Sequence, residues 1–118
     1  MNLVIYGIPT CSTCTKARRW LNDRGITHTW VNLRDSAPSL EQCTQWVKDL
    51  TAAPLKNTSG GSYRALGDEK RHWTDSEWAT AFTNDPMLLK RPIVVKDGHA
   101  IFTGFKGSDE ELSMQLDG

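Results

Sequence analysis

Two cysteines, Cys11-Ser12-Thr13-Cys14, stand between the apolar run Leu3-Val4-Ile5-Tyr6 and the helix-like stretch Lys16-Ala17-Arg18-Arg19-Trp20-Leu21. Strand, then Cys-x-x-Cys, then helix puts the first sulfur where a helix begins. It faces unpaired backbone N–H groups and the positive end of the peptide dipoles there. A thiolate is an anion, so this position favours ionisation and can bring a cysteine pKa from about 8.5 into the range of roughly 3.5–7.5. The ionised sulfur is the nucleophile of thiol–disulfide exchange, and a second cysteine one helical turn later is placed to resolve the mixed disulfide. Cys11 is therefore expected to be the nucleophile, against the plainer alternative of a buried structural cysteine. Cys14 is expected to be the resolving thiol, against that of a small inward-facing helix residue.

The bulk of the chain narrows the surroundings of this chemistry. Its 118 residues fit one domain, 1–118, with a single modest core. Basic and acidic residues each number 14, a formal net charge of zero, so nothing in the total advertises nucleic acid or an anionic membrane. Arg18-Arg19 and Lys70-Arg71 are short basic clusters, a poor nucleic-acid footprint without a basic balance. The segment Met1–Pro9 has no basic leader and reads as a first strand, not a signal peptide. No run approaches the roughly 20 apolar residues of a membrane span. A soluble, cytoplasmic monomer is expected. Zinc would want about four ligands, commonly a second Cys pair or a His pair. Cys43, His28, His72 and His99 are not at ligand spacing, so no metal is expected. Cys43 shares an apolar stripe with Leu40, Trp46 and Val47 and is expected in the core. The histidines fall in a strand, a polar loop and a hairpin, where surface roles are expected.

The elements around the cysteines follow in chain order. Leu3–Tyr6 is a buried-type strand, and a helix follows Cys11 to about Asn22 or Asp23, ended by Gly25. Its inward stripe is Ala17, Trp20 and Leu21, with Lys16, Arg18 and Arg19 solvated. The stretch 27–33 alternates and is rich in β-branched and aromatic residues, a second strand, so strand, helix and strand form a βαβ unit with parallel strands. Ser39 caps a further helix whose apolar residues Leu40, Cys43, Trp46, Val47 and Leu50 recur at spacings of three and four, with Pro54 marking its end. After the flexible stretch 57–62 comes a helical turn at 63–66. Thr74-Asp75-Ser76-Glu77 has the form of a capping box and predicts a helix over 77–82. Asn84-Asp85-Pro86 breaks it, and another turn is expected at 87–90. Residues 93–96, Asp97-Gly98 and 99–103 form a hairpin, since Asp-Gly suits a type I′ turn. A second capping box, Ser108–Glu111, opens a last helix to about Met114 or Leu116. The class is α/β. The order is that of a thioredoxin-like (glutaredoxin-like) mixed four-stranded sheet, βαβ then ββα, with a helical insertion over about 39–90. In that arrangement Lys90-Arg91-Pro92 meets the Cys11 loop, and a proline at the start of a strand is tolerated there, as a cis peptide or not.

The blocks 6–14, 16–18 and 20–21, with Asn57-Thr58-Ser59-Gly60, residues 63–67, 87–95 and Gly104-Phe105-Lys106, resemble the arsenate reductase/Spx family of thioredoxin-fold proteins, in order and over nearly the whole chain. The resemblance implies one of three activities. In glutaredoxin-linked arsenate reductases a cysteine at the position of Cys11 attacks arsenate while arginines hold the oxyanion. Arg91 matches one of these, but Lys56-Asn57 and Lys106 stand where the others would fall, and lysine lacks the planar bidentate fork. In Spx a Cys-x-x-Cys switch controls binding to the C-terminal domain of the α chain of RNA polymerase. ArsC-like and YffB-like proteins, a thiol-dependent group, match the Asn-Thr-Ser-Gly and Gly-Phe-Lys blocks best.

The combined expectation is a thiol–disulfide oxidoreductase, an arsenate-reductase-like thiol-dependent reductase, with Cys11, Cys14 and Arg91 at its centre. Arg91 would lower the thiolate pKa and bind an oxyanion or a glutathionyl carboxylate. Thr10, Ser12 and Thr13 would supply donors around the sulfur. Lys56, Asn57, Arg64, Pro92 and Lys106 complete the expected substrate-binding set. No bound cofactor is implied. The reductant would be glutathione or a thioredoxin- or glutaredoxin-type thiol, and the substrate a small-molecule or protein thiol or disulfide. The alternative is a redox-sensing regulator that binds the RNA polymerase α subunit.

Overall fold

The computed structural model describes residues 2–117; Met1 and Gly118, the ends of the expected domain, lie outside the described residues. The chain runs β1 (Leu3–Gly7), α1 (Ser12–Asp23), β2 (Thr29–Asn32), α2 (Leu40–Leu50), α3 (Gly61–Ala65), α4 (Asp75–Asn84), β3 (Ile93–Lys96), β4 (His99–Thr103) and α5 (Asp109–Asp117). Single 3-10 turns occupy Ala53–Leu55, Asp68–His72 and Pro86–Leu88. The strands form one sheet in the order β2-β1-β3-β4, with β1 parallel to β2 and antiparallel to β3. This is the mixed thioredoxin-like sheet expected.

Strand periodicity sorts the side chains into two layers. Leu3, Ile5 and Val94 face α1 and α5, packing with Ala17, Trp20, Leu21, Phe105, Leu112 and Leu116. Ile93 and Val95, with Val4 and Tyr6 beside them, face α2 and α4 and pack with Cys43, Trp46, Val47, Trp78 and Phe82. Each large apolar side chain so buried contributes about 1.5–3 kcal/mol. A polar tie holds α1 to α5: Trp20 Nε1 donates to Asp109 at 2.9 Å, and Arg24 pairs with the same carboxylate at 2.8 Å.

The helix ends carry the signals read from sequence. Ser39 and Gln42 close a capping box on α2, and Thr74 and Glu77 close one on α4. Ser108 accepts from the Glu111 N–H at 3.2 Å while Glu111 accepts from the Ser108 N–H at 3.4 Å. Gly25, past the end of α1, has φ +65°, and Asp97 and Gly98 have φ 52° and 85°, as a type I′ hairpin turn requires.

Several boundaries differ from expectation. Leu40 is 50% exposed, because the buried stripe of α2 begins at Cys43 and the first helical residue projects beyond it. Thr51 at φ 66° ends α2, and Pro54 sits in the following 3-10 turn. The second strand is limited to the four residues that pair with β1. Helix α4 starts at Asp75, directly after its cap, and His72 closes a 3-10 turn, not a loop. Among the described residues no helix is long and apolar enough to cross a membrane.

Asp49 joins α2 to the hairpin. Its carboxylate accepts from the Ala100 N–H at 2.8 Å, from Gln45 at 2.9 Å and from His99 Nδ1 at 3.0 Å. Partial burial alone would raise this carboxyl. The three donors outweigh that and hold it below the usual aspartate range. A depressed carboxyl contributes its stability above the unfolded pKa of about 3.9 and loses it as pH falls through the folded value. Asp49→Ala, which also strands the Ala100 N–H, should cost about 1–3 kcal/mol near neutral pH. Urea titrations of both proteins should show that gap narrowing in acid below the ordinary aspartate range, and a gap independent of pH would count against the ion-pair account.

A candidate thiol site at the start of α1

Strand β1 stops at Gly7 and the chain turns, with the Cys11 N–H donating to the Ile8 carbonyl at 3.2 Å. Cys11 is the N-cap of α1, in extended conformation at φ −86° and ψ 119°, and its carbonyl accepts the first helical bond from Thr15 at 3.1 Å. Its side chain therefore stands where a Ser or Asp cap would place an oxygen before the free N–H groups of the first turn. The thiol makes no cap hydrogen bond of ordinary geometry. The donors nevertheless decide its charge. Partial burial pushes the Cys11 thiol up, but the Cys14 N–H, the Cys14 thiol, the Thr13 N–H and the Arg91 guanidinium together bring it below its usual value.

Cys14, one turn on, behaves oppositely. Only 1% of it is exposed, and burial above all pushes its thiol up to about 12. The Ile8 N–H works against that rise, while the hydrogen bond to Cys11 and the Cys11 charge add to it. Side by side, one sulfur ionises more readily than an ordinary cysteine and the other is held as the thiol that donates to it. Cys43 lies in the core, its thiol also pushed up to about 12 by burial. All three cysteines are free thiols.

Sequence reasoning missed Gly7. A Cβ built there would lie 2.5 Å from Cys14 Sγ and 3.0 Å from Trp30 Cη2. The first is shorter than real contacts and the second tighter than most, so this strand residue has no side chain because the sulfur, and beside it the indole, fill that space. The Tyr6-Gly7 step at the end of an otherwise branched strand was the available signal.

The other wall comes from the second half of the chain. The segment 55–57 pairs with 88–90: Lys56 bridges Leu89, Asn57 N–H donates to Leu88 O at 2.8 Å, and Lys90 N–H donates to Leu55 O at 2.8 Å. This fixes the approach to Arg91 and to the cis peptide before Pro92. Arg91 Nη1 donates to the Leu89 and Met87 carbonyls at 2.9 and 3.3 Å, while its Nε is buried without a partner. An unused buried donor is costly, typically about 1–3 kcal/mol.

The remaining expected residues divide. Thr13 lends its N–H to the sulfur; Thr10 and Ser12 are exposed beside Cys11 in the chain. Lys56 lies 4.8 Å over the Trp78 ring, and the Asn57 amide fills the space next to Gly60. Arg64 donates to the Ser59 carbonyl at 2.7 Å, and Lys106 is exposed. Among the described residues Arg91 is the cation that acts on the Cys11 thiol. Arg64 ties its own turn and Lys106 faces solvent. Among the described residues no group of three or more His, Cys, Asp or Glu side chains is placed to hold a metal.

Residues 6–111 match the ArsC family. The chain belongs to that family. It is 33% identical over 111 residues to the uncharacterized protein YusI of Bacillus subtilis (strain 168), covering 90% of this chain and 92% of that one. It superposes on the crystal structure of "a possible arsenate reductase" from Streptococcus mutans UA159 with a TM-score of 0.85 and 33% identity, over 94% of this chain and 97% of the other. The global transcriptional regulator Spx of Lactiplantibacillus plantarum is 28% identical over 98 residues, 80% of this chain and 74% of that protein. Proteins named arsenate reductase are similar as well.

The asymmetry of the sulfurs makes a direct prediction. Near neutral pH, iodoacetamide should label Cys11 first of the three thiols, as mapped by peptide mass, and Arg91→Ala should move the midpoint of the labelling curve to higher pH. Equal labelling of Cys14, or an unmoved midpoint, would contradict the geometry. Gly7→Ala should cost about 1–3 kcal/mol by overpacking. It should also slow closure of a Cys11–Cys14 disulfide while leaving Cys11 alkylation intact, because the added methyl pushes on Cys14 Sγ and not on the cap.

Proposed function

We propose that this chain is a thiol-dependent reductase of the ArsC family that works by disulfide exchange at Cys11. The observation that carries the reading is the opposed charge preference of two neighbouring sulfurs, one favoured as thiolate at a helix cap and the other buried as thiol. The Cys11 thiolate attacks one sulfur of a substrate disulfide. A Cys11–substrate bond forms, the substrate S–S bond breaks, and the far half leaves as thiolate. At that moment Cys11 loses its negative charge. The charge and the hydrogen bond that helped keep Cys14 protonated disappear together, and Cys14 yields its proton more easily. It then attacks Cys11 Sγ, releasing the second substrate thiol and leaving a Cys11–Cys14 disulfide. Two electrons have passed to the substrate, and two equivalents of glutathione, or one of a thioredoxin- or glutaredoxin-type dithiol, restore the pair.

Arg91 is the proposed anion anchor. Its guanidinium acts on the Cys11 thiol, and its charge would attract a carboxylate or oxyanion brought to that sulfur. With Lys56 held over Trp78 and Arg64 spent on Ser59, a single guanidinium flanks the thiolate. That supports disulfide exchange over reduction of arsenate, whose tetrahedral anion is better gripped by several forks.

A second reading, a redox-sensing regulator, is favoured by the similarity to Spx, a global transcriptional regulator. There the same disulfide would alter a surface that meets the RNA polymerase α subunit. One experiment separates the two. Cys14→Ser incubated with a glutathione-capped peptide disulfide should accumulate a Cys11 mixed disulfide, visible as an added mass, whereas wild type should turn over with excess thiol. Failure of wild type to turn over, combined with capture of the polymerase α C-terminal domain only by the oxidised chain, would transfer the assignment to the regulator.

A further inference from the structure

The charge of this protein is zero in total but not in distribution. From Cys11 to Arg24 the chain holds four of its 14 basic residues, Lys16, Arg18, Arg19 and Arg24, and one of its 14 acidic ones, Asp23. That segment is α1 with its two caps, so the cations sit on the helix whose first turn carries the thiolate. A shallow hollow of about 420 Å³ runs along it from Ser12, which follows Cys11, past Lys16 and Arg19 to Asp23 and Arg24.

The cations are not equivalent. Arg18 is stacked 4.3 Å over the Trp30 ring. Arg24 stacks 4.0 Å over Trp20 and pairs with Asp109. Lys16 and Arg19 are exposed on the hollow, and among the described residues neither has an ion-pair, hydrogen-bond or aromatic partner. At the far end Asp23 and Asp109 change the sign of the surface. The unmatched positive stretch is therefore short and begins beside the reactive sulfur.

Resting on the exchange reading above, we infer that this face of α1 docks an acidic polypeptide that carries the substrate disulfide. The geometry gives a register. Lys16 and Arg19 stand about 7.5 and 12 Å along the helix axis from Cys11 at 1.5 Å per residue. An extended peptide advances about 3.3 Å per residue. A substrate whose cysteine sits on Cys11 would thus set carboxylates at about two and four residues from that cysteine against the two free cations. The match is electrostatic and partly solvated, so it acts mainly on the rate of encounter and fades with salt. A nucleic-acid strand suits the face less, because its negative charge continues where Asp23 and Asp109 begin.

The test uses the reduced full chain and a peptide whose cysteine is disulfide-linked to 2-mercaptoethanol. Cys11 attacks the peptide sulfur, the S–S bond breaks, and 2-mercaptoethanol leaves as thiolate, so no further reagent is needed. One peptide has Asp at the second and fourth residues from the cysteine, a second has Asn there, and 2-hydroxyethyl disulfide serves as a neutral small substrate. At low ionic strength the Asp peptide should react about three- to tenfold faster than the Asn peptide, a ratio of the size expected for two exposed charge pairs. The advantage should vanish near about 0.5 M salt, where the screening length falls to a few ångströms. It should also vanish in Lys16→Gln/Arg19→Gln, while 2-hydroxyethyl disulfide reacts with that variant as with wild type. Equal rates for the two peptides in wild type would overturn the docking face and leave the exchange chemistry standing. No reaction with any disulfide, the neutral one included, would overturn both. An oligonucleotide that competes better than an Asp-rich peptide of equal charge would reassign the face to nucleic acid.

Discussion

The N–H groups of the first turn of α1, left without helical partners, help bring one thiol below its usual pKa, and the rest of the structure builds on that arrangement. They exist because a helix cannot bond its own first donors. They point at Cys11 because the chain leaves the central strand β1, turns at Ile8 and enters the helix with Cys11 as its cap. The same turn brings the Ile8 N–H to Cys14, so backbone donors act on both sulfurs. A parallel βαβ unit has to start its helix at the carboxyl end of its first strand. The position of the thiolate is thus a consequence of topology as much as of local sequence.

A helix cap alone leaves the sulfur with one kind of support. The second comes from across the sheet, where β3 enters beside β1 and carries Arg91 to the Cys11 loop. The helical insertion contributes here in a way its own sequence does not advertise. By pairing 55–57 with 88–90, it turns what would be a free loop into a braced strap ending at Arg91 and Pro92. Two carbonyls hold one end of the guanidinium, and its Nε remains unspent. That rigid positioning keeps the guanidinium where it lowers the Cys11 thiol.

Membership of the ArsC family sets the scaffold and leaves the activity open, since relatives named arsenate reductase and Spx share it. The charges around the cap and the surface beyond it are features of this chain's own sequence. In this chain the cluster is sparse, one guanidinium, while the basic surface lies along α1.

Local interactions were legible in the residues themselves. The cysteine spacing, the Ser39, Thr74 and Ser108 caps, the Asp97-Gly98 turn and the core position of Cys43 are set by bonds between near neighbours or by a single stripe, and all appear where the chain placed them. Position on the stripe of α2 failed for Leu40, because periodicity tells which face a residue is on but not where the covering layer ends. Tertiary structure alone decided the rest. Lys56, Asn57 and Arg64 were expected to bind substrate by resemblance, and the structure shows their heads at Trp78, the Gly60 turn and Ser59. Gly7 proved to be space for the Cys14 sulfur, and Arg91 kept a free donor. Such outcomes depend on which distant groups compete for each polar atom and each volume, and a one-dimensional pattern contains no record of that competition.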